Sequence, residues 1–142
     1  MRRIFRYLTA LVLLVFAAGS HGLDARQLDS ASQAALDRRI AEYFDMLKFE
    51  SIDVQKAEAD FMIQAASDSL VRQYVALRIY DHYLGSPVMG AEGVAIHIFD
   101  RWFLPGTISM GSDMDLLNAR IFADFNRQSL IGAEAPSLEM ES

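Results

Sequence analysis

The chain has 142 residues, of which 52% are hydrophobic and 23% charged, with a formal net charge of −6 and no cysteine. The missing thiols exclude disulfides, thiolate-held metals and a cysteine nucleophile, and the acidic balance makes nucleic acid or an anionic membrane face an unfavourable partner. This length fits one domain with enough core to fold without a covalent or metal staple.

Arg2, Arg3 and Arg6 precede an apolar stretch from Leu8 to Ala18, followed by the small residues Ala18-Gly19-Ser20 and Ser20-His21-Gly22. This is the pattern of a cleavable secretory signal peptide over residues 1–22. The apolar stretch is shorter than the roughly 20 residues that span a bilayer, so no stable membrane insertion is expected after cleavage. Without cysteine there is no lipoprotein anchor, and the expected location is the periplasm or the exterior. Removing the signal leaves 10 basic against 19 acidic side chains, a net charge of −9.

The first helix is predicted over Ser30–Lys48, with Ser30 and Gln33 spaced as a capping box and Leu36, Ile40, Tyr43, Phe44 and Leu47 on the packing face. A second is predicted over Val54–Ala66, capped by Asp53 and buried through Val54, Ala57, Phe61 and Ala65. Ser67-Asp68-Ser69 ends it and caps a third, Leu70–Leu84, whose apolar side runs through Leu70, Tyr74, Leu77, Tyr80 and Leu84, with Val71, Val75 and Ile79 beside it. Gly85-Ser86-Pro87 then makes a helical hairpin, with positive φ expected at Gly85 and no backbone donor at Pro87.

The fourth helix, Met89–Leu104, carries Ala91, Val94, Ala95, Ile98 and Trp102 as a stripe widened by Ile96, Phe99 and Phe103. Its polar side is Gly93, His97, Asp100 and Arg101. Pro105-Gly106 stops it, and Ser112 caps a fifth helix with Asp113 and Asp115 in the favoured first turn. Met114, Leu117, Ile121 and Phe125 form the expected packing face of that helix, and Arg120 and Asp124 are one turn apart. The whole reads as all-α, about five helices in an irregular bundle or stacked hairpins over residues 23–129, with a tail over 130–142.

No residue set marks an active site. His82 and His97 lie on the two arms of the hairpin beside Asp81 and Asp100, but lack HxxxH or ExxH spacing. Asp37, Glu42, Asp45, Glu50, Asp53, Glu58 and Asp60 read as a solvated acidic face. Ser109 and Ser112 flank Gly111 in an ordinary turn, without a nucleophile elbow. Phe99, Trp102 and Phe103 read as core, and Met46, Met62, Met89, Met110 and Met114 as gap filling. No catalytic, metal or cofactor residue is therefore assigned, and a hydrolase using His82 or His97 with an acid is the weakest reading.

The tail Leu130-Ile131-Gly132-Ala133-Glu134-Ala135-Pro136-Ser137-Leu138-Glu139-Met140 resembles the lead-in to the thioredoxin-like domain of bacterial envelope thiol-disulfide oxidoreductases. Upstream, Tyr80-Asp81-His82-Tyr83, Val88-Met89-Gly90, Val94-Ala95-Ile96, Asp100-Arg101-Trp102-Phe103-Leu104 and Phe125-Asn126-Arg127 are similar to the helical domain of unknown function that precedes it in Bacteroidetes envelope proteins. The resemblance implies a non-catalytic accessory domain whose partner is a thioredoxin-like domain, in the same or a separate chain, or that domain's protein substrate. The sequence departs from the family in having no Cys-x-x-Cys, so no redox residue carries over. The alternative is a free-standing helical-repeat module that binds a peptide or protein.

Overall fold

A computed structural model describes residues 29–129; the expected signal peptide at 1–22 and tail at 130–142 lie outside them. Five helices, α1 Ser30–Leu47, α2 Ile52–Ala65, α3 Ser69–Leu84, α4 Glu92–Ile98 and α5 Asp113–Asn126, account with two short turns for 76% of the described residues. No strand occurs among the described residues, in agreement with the all-α expectation.

Short polar side chains start four of the helices. Asp29 accepts from Ser32 N at 2.7 Å, Ser51 from Val54 N, Asp68 from the backbone of Leu70 and Val71, and Ser112 from Asp115 N. Each satisfies a donor that the helix itself leaves orphaned, worth about 1 kcal/mol. Ser112 and Asp68 match the expected caps. Asp29 replaces Ser30 and Ser51 replaces Asp53, each cap lying one or two residues earlier, so Ser30 and Asp53 fall inside their helices.

The hairpin between α3 and α4 forms as expected, with a different backbone solution. Gly85 has φ −91°, and positive φ occurs instead at Gly90, φ 90°, where the chain turns into α4. The expected fourth helix is shorter at its start and changes pitch. Met89 is exposed outside it, and the regular helix gives way at Phe99 to a π-helical turn, Phe99–Phe103, closed by Leu104 N donating to Phe99 O at 2.8 Å.

This α4–π unit is the centre of the domain. Val94, Ala95, Ile98, Phe99 and Phe103 are buried with Val71, Val75, Ala76 and Ile79 of α3 and Ala59, Met62 and Ile63 of α2. The ring of Phe103 meets Tyr80 edge-on. Helix α1 closes one side through Leu36, Ile40, Tyr43 and Leu47, and α5 rests on the π turn through Ala119 and Ala123, with Leu116 and Phe122 half-buried.

Three packing faces differ from those expected. On α2 the buried residues are Gln55, Ala59, Asp60, Met62 and Ile63, while Phe61 and Ala57 face solvent. On α5 the buried side is the small pair Ala119 and Ala123, and the large residues expected there point away. On α3, Leu84 is exposed and Ala76 and Tyr83 take part in the core.

Candidate functional site

Asp60 is the conspicuous polar group of the interior, 8% exposed and turned from α2 toward the α4–π unit. Its Oδ1 accepts from Trp102 Nε1 at 2.9 Å, and its Oδ2 lies 3.1 Å from Arg101 Nη1 and 2.7 Å from His97 Nε2. A carboxylate placed there without donors would be costly; three donors from one neighbouring helix make it acceptable. Asp60 therefore leaves the solvated acidic face on which the sequence had placed it. His97 pairs with Asp60 across the helix interface rather than standing free on a polar stripe.

The other arm of the hairpin does not join this cluster. The ring of His82 stacks on Phe44 at 3.6 Å and meets Tyr83 edge-on, and burial against these aromatics pushes its pKa down. Burial likewise raises the Tyr83 hydroxyl. His82 and His97 thus serve two separate contacts. Among the described residues, no group of three or more His, Cys, Asp or Glu side chains is placed to hold a metal.

The remaining polar contacts tie helices together. Tyr74 Oη donates to Asp37 Oδ1 at 2.7 Å and Arg78 Nη2 to Asp37 Oδ2 at 3.2 Å, joining α1 to α3. The Tyr43 hydroxyl donates to Glu58, and burial followed by this carboxylate raises its pKa. Arg127 grips Asp100 with two bonds of 2.6 and 2.9 Å, which fastens the end of α5 to the π turn. Arg120 and Asp124, one turn apart, form no ion pair with each other, and the ion pair at the end of α5 is this one. Gln73 Nε2 donates to Ser109 O at 2.8 Å and holds the loop before α5.

The serines and aromatics take ordinary roles. Ser109 Oγ accepts from Gly111 N, Ser112 caps α5, and Phe99, Trp102 and Phe103 are buried. Met62 fills the core, whereas Met89 and Met114 are exposed and fill no gap.

Among the described residues, nothing packs on the outer side of α5. Met114 is 64% exposed, Leu117 49%, Ile121 57% and Phe125 83%. Their spacing of three, four and four residues aligns them along one stripe, about half a revolution from Ala119 and Ala123. The helix is apolar on two opposite sides, and among the described residues the side of Ala119 and Ala123, flanked by the half-buried Leu116 and Phe122, is the covered one. Four aligned large apolar side chains are an exposed apolar patch of the kind that interaction surfaces use. The 3.6-residue period was legible; which stripe faced inward was not.

No protein-family model matches the chain, and no curated protein or solved structure does either.

Proposed function

We propose that the protein is a non-catalytic helical interaction domain of the cell envelope, and that α5 is its docking element. The observation that carries this reading is the uncovered stripe Met114, Leu117, Ile121 and Phe125. Amphipathic helices recognise partners through anchors at this spacing, and aromatic and methionine side chains are favoured in such contacts. The partner we assign is a thioredoxin-like domain, in the same or a separate chain, because the Gly132–Pro136 segment that resembles its lead-in begins six residues after α5 ends at Asn126. Any domain led in by that segment follows α5 closely along the chain. In this reading the helical domain holds or orients a redox domain whose cysteines this sequence lacks.

A photo-crosslinking amino acid at Phe125 in the full chain, expressed in its own envelope, tests the proposal. The expected product is a crosslink to a Cys-x-x-Cys domain, mapped by mass spectrometry. Crosslinking at Phe125 no greater than at the exposed Arg38 on α1 refutes docking by α5, and a specific product without a thioredoxin-like domain refutes the partner.

A further inference from the structure

On the inner flank of α5, away from its exposed stripe, a cleft of about 380 Å³ runs between α3 and α5. Its apolar wall is Leu77, Tyr80, Leu84, Met110, Ala119 and Phe122, and its polar groups are Asp81, Asp115 and Asn118. Helix α5 packs chiefly on the π turn rather than on α3, and the half-buried Leu77, Met110 and Phe122 lie between the two helices. The volume falls at the lower end of the roughly 300–1,000 Å³ of ligand-binding pockets, and the mixture of apolar wall with a few polar groups is their usual composition.

Tyr80 adds to the cleft a polar group that the described protein leaves available. The residue is 5% exposed, yet its hydroxyl bonds to no group among the described residues and keeps a path to solvent. Buried tyrosines normally find a hydrogen-bond partner. Burial and the neighbouring Asp81 charge raise its pKa, so the hydroxyl stays protonated and able to donate as well as accept. Asp81 and Asn118 likewise spend no side-chain hydrogen bond on the described protein, whereas Asp115 holds the Ser112 hydroxyl at 2.6 Å. The groups available are the free Asp81 carboxylate and the second oxygen of Asp115 at the rim, an amide, and a phenol at the wall.

We infer that the α3–α5 cleft binds a peptide segment in which an apolar side chain is followed within a helical turn by lysine or arginine. The apolar side chain fills the space between Leu77, Leu84 and Phe122, the basic group meets Asp81 and Asp115, and a backbone or side-chain polar group meets Tyr80 and Asn118. This complements an acidic chain of net charge −6. The inference goes beyond the docking role of the α5 stripe and does not rest on it, because none of the four stripe residues lines the cleft.

The test is fluorescence anisotropy with the full chain and a fluorescein-labelled amphipathic Leu/Lys helical peptide, against the same peptide with glutamate in place of lysine. The Leu/Lys peptide is expected to bind at least about tenfold more tightly, given several charge contacts each worth up to about fivefold. Asp81→Lys and Leu84→Ser, both at exposed positions, are expected to weaken binding about threefold to fivefold or more, and Tyr80→Phe about threefold. Asp124→Lys, an equal charge change elsewhere on α5, and Ile121→Ser, on the outer stripe, are expected to leave binding within about twofold. No measurable binding, equal binding of both peptides, equal loss with Asp124→Lys and Asp81→Lys, or loss confined to Ile121→Ser each overturns the assignment; the last result would place the peptide on the outer stripe instead.

Discussion

Replacing Asp60 by alanine should loosen the contact between α2 and the α4–π unit, and its cost follows from the three bonds lost. The Trp102 N–H is buried and has Asp60 as its acceptor, so leaving it unsatisfied costs about 1–3 kcal/mol. Arg101 is half-exposed and His97 partly so; both can turn to water, and together they add about 1 kcal/mol after screening. The sum is roughly 2–4 kcal/mol, which for a domain of about 100 residues lowers Tm by roughly 10–25 °C. Asp60→Asn keeps an oxygen for Trp102 but turns an amide toward Arg101, and should cost about 1 kcal/mol. Circular dichroism melts of the two variants and of Trp102→Phe, alone and combined with Asp60→Ala, measure these terms and a coupling of about 1 kcal/mol or more between Asp60 and Trp102. A Tm for Asp60→Ala within about 3 °C of the parent would refute the reasoning, since so small a change means the carboxylate contributes no net stabilisation.

His82 gives a pH dependence of definite sign. Its folded-state pKa lies below the ordinary 6.5, so the unfolded chain binds more protons below that pH; stability should fall as pH drops from about 6.5 toward the folded value, and His82→Gln should flatten that fall in pH-dependent melts. Arg127→Ala removes the two-bond grip on Asp100 but at exposed positions, so global stability should change by no more than about 1 kcal/mol while amide exchange in α5 accelerates relative to α3. Leu117→Ser and Ile121→Ser should shift stability by within about 0.5 kcal/mol, against about 3–5 kcal/mol for Phe99→Ala in the core, because the first two side chains already face water; urea unfolding separates the cases.

Helix number and the hairpin turn were legible because they follow from local chemistry: caps and breakers. Faces were legible only where one side of a helix is uniformly polar. In α1 it is, and Leu36, Ile40, Tyr43 and Leu47 are buried as expected. In α5 both stripes are apolar. The small residues Ala119 and Ala123 are inside because the bulky π turn already fills the space, a steric fact of another segment. In α2 the inward residue Asp60 mimics a surface position, and its donors lie 37, 41 and 42 residues further along the chain. A single buried carboxylate with non-local partners carries no signal in local hydropathy. Tyr80 was placed on the packing side of α3, but its unpartnered hydroxyl emerges only from what α5 fails to cover.

The π turn explains why three donors from one helix reach one carboxylate. In a regular helix His97 and Arg101 share a side, being four residues apart, but Trp102 is five residues from His97 and points about 140° away. A π turn has i→i+5 hydrogen bonding, and the wider revolution carries residue 102 back toward residue 97. His97 Nε2, Arg101 Nη1 and Trp102 Nε1 can then converge within 3.1 Å of Asp60. The same widening sets Phe99 and Phe103 inward in successive positions against α3 and α5, and Leu104 N still finds Phe99 O. Local backbone irregularity and the buried charge thus have one cause: the turn that admits Asp60 also builds the bulky shelf on which only alanines of α5 can rest. With Ala119 and Ala123 committed to that shelf and Leu116 and Phe122 half-buried beside them, Met114, Leu117, Ile121 and Phe125 are left facing outward.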